Sequence, residues 1–228
     1  MKKLIFYSIF IVFLTSCTSK KKSPDFISKA SGRYFFNADE TINAYFKDEE
    51  LMIGWRGKDL SPLKINDSTF YVSELNEKLI FITAEHKIKL ASKREHNNEV
   101  FIFHKLKDGE KTPREYLKSG NYKMALEGYL AIKKRDSMNP VIRENNLNSI
   151  GYQFLKNDDI KKAIEVFKIN IALYPNSSNT YDSMGGAYKK EKDTINAIKF
   201  YRKALDINPE NRSSKRQLKR LTKREKND

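Results

Sequence analysis

The chain of 228 residues has a single cysteine, three histidines, nine glycines and one tryptophan. With Cys17 alone, neither a disulfide nor a thiolate metal cluster can form within the chain. Nine glycines leave little from which to build a phosphate-cradling loop, and no G-x-S-x-G, G-x-x-x-x-G-K or H-E-x-x-H pattern occurs. His86, His96 and His104 show no metal-ligand spacing, so no metal and no cofactor is expected. His86 and His96 fall at predicted turns, and His104 shares a strand face with Val100 and Ile102, which predicts a core or rim histidine. Asp158 and Asp159, an adjacent carboxylate pair, read as solvated turn residues. The longest apolar run, Leu4 to Leu14, is eleven residues long. A bilayer span needs about 20.

That run follows Lys2 and Lys3 and ends in Leu14-Thr15-Ser16-Cys17, the layout of a secretion signal. The ending resembles the lipobox of bacterial lipoproteins, in which small residues admit the signal peptidase and the cysteine thiol carries diacylglycerol. The resemblance implies a signal peptide over 1–16, a lipid on Cys17 as the membrane anchor, and a basic tether over 17–30. By likeness to known sorting rules, Thr18 after Cys17 implies the outer membrane, facing the periplasm of a Gram-negative bacterium. Stable anchoring takes two or three acyl chains, since one holds only marginally. Net charge is +15, or +13 without Lys2 and Lys3. A basic chain ordinarily raises nucleic acid as a partner. An exported chain rarely meets it, so no nucleic acid is expected; the expected counterparts are anionic lipid head groups, lipopolysaccharide phosphates or an acidic protein, and the competing reading is that the charge only solvates the chain.

Residues 31–106 have a period of two. Ile42, Ala44 and Phe46 alternate with polar or outward neighbours, and after "KDEE" so do Leu51, Ile53 and Trp55, which predicts a hairpin. With "RYFF", "LKI", "TFYV", "KLIFIT", "KIKLA" and "VFIFHK", about eight antiparallel strands are expected, forming one small curled sheet or barrel. Inward aromatics would fill a barrel of this size, which argues against a ligand-carrying interior.

The domain changes near residues 106–111, and from residue 112 the period becomes helical. "AIEVFKINIALYPNS", residues 163–177, recurs 34 positions later as "AIKFYRKALDINPEN", residues 197–211. Ala163, Phe167 and Pro175 fall on Ala197, Tyr201 and Pro209, and Gly151 and Phe154 fall on Gly185 and Tyr188. This is the spacing of tetratricopeptide units, in which paired helices touch through small residues and proline stops the second helix. An earlier copy carries Tyr116, Ala125 and Tyr129, with Ala125 38 residues before Ala163. The four extra residues are expected to lengthen the next helix, with Asn139 as its cap and Pro140 as its first residue. Three repeats therefore span 107–211, the first degenerate, and a basic capping helix occupies 212–228 with Leu218 and Leu221 packing back. The fold class is α+β with two domains: a small antiparallel β-sheet or barrel, then an all-α repeat array.

The phrase "LNSIGYQFLKNDDIKKAIEVFKINIALYPNSSNTYDSMGGAY", residues 147–188, resembles the tetratricopeptide segment at the C-terminus of bacterial serine hydrolases of the beta-lactamase and penicillin-binding type. "LSPLKINDSTFYVSE" and "KLIFIT" resemble the small β-domain ahead of those repeats. The resemblance covers residues 31–210, and the hydrolase domain that would precede position 31 is absent from the sequence. Serine-lysine chemistry needs S-x-x-K at the start of a buried helix. Ser19 to Lys22 fits the spacing but lies in the basic tether, and neither S-D-N nor K-T-G follows. The expected function is non-enzymatic protein binding at the cell envelope. The alternatives are an accessory or relic partner of such a hydrolase, and a small-ligand carrier using the β-domain.

The concave face of such an array comes from the first helix of each unit. It is expected to include Asn145, Asn148, Tyr152 and Lys156, then Asn179, Asp182, Gly186 and Lys189, with side-chain amides suited to an extended peptide. The competing reading is that Asn148, Asn170 and Asp182 knit the repeats together, Asn170 by reaching Asp182 or Ser183.

Overall fold

A computed structural model describes residues 23–97, 99–137 and 139–224. The lipobox, Cys17 and Ser19 lie outside the described residues. Part of the stretch expected as tether is instead ordered structure. Ser23 accepts the Phe26 N–H at 3.1 Å and Pro24 supplies a preset φ, so a short helix α1 forms over Pro24–Ala30.

Among the described residues nine strands follow, one more than the periodicity suggested: β1 Gly32–Phe35, β2 Thr41–Lys47, β3 Glu50–Trp55, β4 Lys58–Leu60, β5 Leu63–Lys64, β6 Thr69–Val72, β7 Glu77–Ile82, β8 Lys87–Leu90 and β9 Ile102–His104. The unexpected one is β4, which returns from β3 through Arg56 and Gly57, both at positive φ. The "KDEE" turn works in the same way. Asp48 and Glu49 take φ of 52° and 67°, the left-handed pair that matches the twist of a two-residue hairpin. The strands run as two antiparallel meanders, β1-β2-β3-β4 and β5-β6-β7-β8-β9. Their outer edges meet where Tyr34 bridges Lys105 and the Leu106 N–H donates to the Arg33 carbonyl at 2.7 Å. This closure removes two exposed edges.

The inward phase is as the alternation requires on β2 and β3: Ile42, Ala44, Leu51 and Ile53 are buried. It is reversed on β9. Phe103 sits opposite fully buried Ile88, so Phe103 points in and His104 and Ile102 point out. His104 is thus an exposed residue, not a core one, because the larger aromatic takes the interior. Phe26 of α1 closes one end of this interior, its ring 6.1, 6.1 and 5.9 Å from those of Phe46, Phe70 and Phe81.

The helices are α2 Pro113–Lys118, α3 Tyr122–Arg135, α4 Glu144–Lys156, α5 Ile160–Leu173, α6 Ser178–Glu191, α7 Thr194–Ile207 and α8 Arg212–Arg224. A capping box starts α2, with Thr112 accepting the Glu115 N–H and Glu115 accepting the Thr112 N–H. The four additional residues before α4 do not lengthen it. Asn139 accepts the Val141 N–H, and Pro140–Ile142 forms a separate 3-10 turn that drops Ile142 into the core. Within the pairs α4/α5 and α6/α7 the glycines admit rings. A Cβ on Gly151 would stand 2.3 Å from Phe167, and one on Gly185 2.8 Å from Tyr201. Leu221 of α8 is buried against α7 with Leu218 beside it. The two halves share a core: Phe35 and Ala38 pack among Leu117, Tyr129 and Leu147.

Candidate functional site

Helices α4 and α6, the first of their pairs, line an inner groove closed at its far end by α8. Tyr152 stands on α4, 46% exposed, with its ring edge against Phe167 and its hydroxyl donating to Ser183 Oγ at 3.2 Å. Asp182 and Gly186 lie one turn apart on α6, and Lys190 one turn further. Together with Lys189, Tyr201 and Gln217 they surround a cavity of about 430 Å³. Asp182 is held by the Ser214 hydroxyl at 2.5 Å. Lys189 is held by the neutral amide of Gln217 at 3.0 Å, which leaves its charge uncompensated at that contact. Lys190 pairs with Asp158 at 3.2 Å and also donates to the Leu155 carbonyl. Gly186 keeps the groove floor open: the nearest atom to an added Cβ is Tyr201 Oη, 3.9 Å away. Burial first, then the Asp182 carboxylate and Tyr152, push the Tyr201 hydroxyl above the ordinary tyrosine range, so it is a neutral donor at physiological pH.

The structure thus gathers Tyr152, Asp182, Gly186 and Lys189 and disperses the rest. Asn145 is exposed away from the cavity, its carbonyl accepting the Ser149 hydroxyl at 2.8 Å. Lys156 is exposed at the end of α4. Asn179 donates to the Glu144 carboxylate at 2.7 Å, tying one unit to the next. Asn148 is buried, and its Oδ1 accepts from Asn170 Nδ2 at 3.2 Å. Asn170 also donates to the Glu144 carbonyl at 3.2 Å. Asn170 is therefore structural, but it braces its own helix pair and does not reach Asp182 or Ser183. Those two residues are engaged by Ser214 and Tyr152. Lys190 and Gln217 are additional groove residues. Lys190 was legible as the next step of the Asp182, Gly186 series, whereas Gln217 sits in a helix read only as a solvating cap.

His86 is an exposed left-handed residue ending a 3-10 turn, and His96 Nε2 lies 3.1 Å from Glu77. Among the described residues no group of three or more His, Cys, Asp and Glu side chains could hold a metal ion, and no helix is long and apolar enough to cross a membrane. Ser61 to Lys64 also has the S-x-x-K spacing. Its lysine lies on the exposed strand β5 and not at the start of a buried helix, so it offers no desolvated base.

The tetratricopeptide repeat family matches over residues 178–211, the α6/α7 unit. The chain is also similar to solved repeat domains. The first repeat domain of Spaghetti (RPAP3), bound to an HSP90 peptide, is 22% identical, with 49% of this chain and 85% of that one covered and a TM-score of 0.33. The Arabidopsis OM64 repeat domain is 20% identical over 49% and 88%, at 0.34. The Sgt2 domain from Aspergillus fumigatus is 17% identical over 50% and 74%, at 0.35. No curated protein matches the chain. The C-terminal half is an array of helix pairs preceded by a small antiparallel β-domain.

Proposed function

We propose that the chain is a non-enzymatic, lipid-anchored protein of the cell envelope that holds an extended, acidic segment of another protein in the groove of its repeats. The observation that carries this reading is the groove itself, where an open floor at Gly186 lies beside Lys189, a cation whose contact at Gln217 is a neutral amide. Tyr152, half exposed, supplies apolar area with a polar tip, a combination suited to peptide backbones. The anchoring part of the proposal rests on the sequence around Cys17, which resembles a lipobox, and places the groove on the periplasmic side of the outer membrane.

Selection of displayed peptides against the full chain tests the binding reading. Acidic, extended sequences should be enriched, and Lys189→Glu should weaken the selected peptide at least about tenfold by placing like charge in the site. Enrichment indifferent to charge, with affinity unchanged in Lys189→Glu, would remove the groove from the account.

A further inference from the structure

The two ends of the β-domain are finished differently. At one end, Phe26 fills the space among Phe46, Phe70 and Phe81. At the other end the same strands leave room. Ile42 of β2, Trp55 of β3, Leu79 of β7 and Leu90 of β8 line a cavity of about 870 Å³, with Pro140 and Val141 of the repeat side at its wall. That volume falls within the range of about 300–1,000 Å³ common to small-molecule sites.

The polar atoms of this cavity are unusual for its apolar lining. Among the described residues, five buried side-chain polar atoms have no hydrogen-bond partner, and three of them belong to residues lining this one space: Trp55 Nε1, Glu77 Oε2 and His96 Nδ1. Glu77 occupies the same phase of β7 as buried Leu79 and Phe81, so a carboxylate points where the pattern calls for an apolar group. Its other oxygen is used, receiving Lys93 Nζ and facing His96 Nε2, each at 3.1 Å. A carboxylate already matched by one lysine does not call for a second cation, and an anionic ligand would face Glu77 itself. Hydroxyl groups suit these three open valences, as donors to the carboxylate oxygen, as acceptors from the indole N–H and as either toward the imidazole nitrogen.

We propose that this end of the β-domain binds a neutral, mostly apolar small molecule whose hydroxyl groups donate to Glu77 Oε2 and accept from Trp55 Nε1–H. The site is separate from the repeat groove and does not depend on the peptide reading.

Trp55 is the only tryptophan in the chain, so its emission reports this cavity by itself. The full chain in detergent-free buffer is titrated with tert-butylcyclohexanol, with tert-butylcyclohexane, which lacks the hydroxyl, and with the corresponding primary amine. The alcohol should change Trp55 emission saturably and bind at least about tenfold more tightly than either analogue, because they leave buried polar atoms unmatched. Glu77→Leu should abolish the preference of the alcohol over the hydrocarbon. Because that variant also strips Lys93 of its partner, Leu75→Phe serves as the second probe: it adds bulk at the cavity wall and should weaken the alcohol about tenfold while melting like the parent. No saturable response in the parent up to the solubility limit, equal affinity for alcohol and hydrocarbon, or parent-like binding in a folded Leu75→Phe would overturn the proposal.

Discussion

Single residues in the repeats divide into those that fill contacts and those that leave space, and two glycines on the first helices of their pairs separate the cases. Gly151 abuts the fully buried ring of Phe167, which has nowhere to move, so Gly151→Ala should destabilise by about 1–3 kcal/mol through overpacking. Gly186 has ordinary contact distance around it, and Gly186→Ala should be neutral or stabilising by up to about 1 kcal/mol from helix propensity. Urea midpoints check the pair, and equal shifts in both would contradict the helix register. Asn170 supplies a second test. Asn170→Leu leaves the buried Asn148 oxygen without its donor, at a cost of about 1–3 kcal/mol. Adding Asn148→Leu should recover part of that loss, since removing both partners removes the unpaired atom. A double variant as unstable as the sum of the two single changes would show that the amides do not act as a pair. The sequence made Asn170 conspicuous as a polar residue in an apolar helix. Its partner was not legible, because the choice between Asn148 behind it and Asp182 ahead of it depends on how the helices rotate about one another.

Whole elements were legible wherever burial enforces a period. The 34-residue recurrence, the small residues at Gly151 and Gly185, and the alternation on β2 and β3 all follow from faces that must meet a core. Three features escaped for a shared reason: their determinants are local backbone states or side-chain size, not periodicity. β4 hangs on a positive-φ turn at Arg56 and Gly57, the residues before α4 fold into a 3-10 turn, and β9 takes its phase from Phe103. Likewise Glu77 could have been noticed as a carboxylate on the inward phase of β7. The contact between β1 and α2 is an ion pair, with Arg33 reaching both oxygens of Glu115 at 2.5 Å. Burial pushes the Glu115 carboxyl up, but Arg33 and the Thr112 N–H outweigh it, so the folded value lies below the ordinary 4.5. A carboxyl with a depressed folded value stabilises above its unfolded pKa and loses that stabilisation as pH falls through the folded one. Acidification from about pH 6 to about pH 3 should therefore lower the unfolding midpoint of the parent more than that of Glu115→Gln. Identical pH slopes would mean that this pair contributes nothing to holding β1 against α2.

At the scale of the whole molecule, the β-domain and repeats are joined by a shared core through Phe35 and Ala38. The proposed anchor at Cys17 would hold the assembly at a membrane through the segment ahead of α1. Cys17→Ser should leave the protein unacylated and recovered uncleaved or in the soluble fraction, as followed by labelling with a fatty-acid analogue. Continued acyl labelling of the variant would rule out this attachment point. The central claim, that the groove of the repeats is where a partner's extended segment lies, is tested most directly by mapping amide chemical shifts while the full chain is titrated with a display-selected peptide. The account predicts changes concentrated at Tyr152, Asp182, Gly186 and Lys189 and on the facing turn of α8. Changes confined to the outer faces of α5 and α7, or to the β-domain, would contradict it.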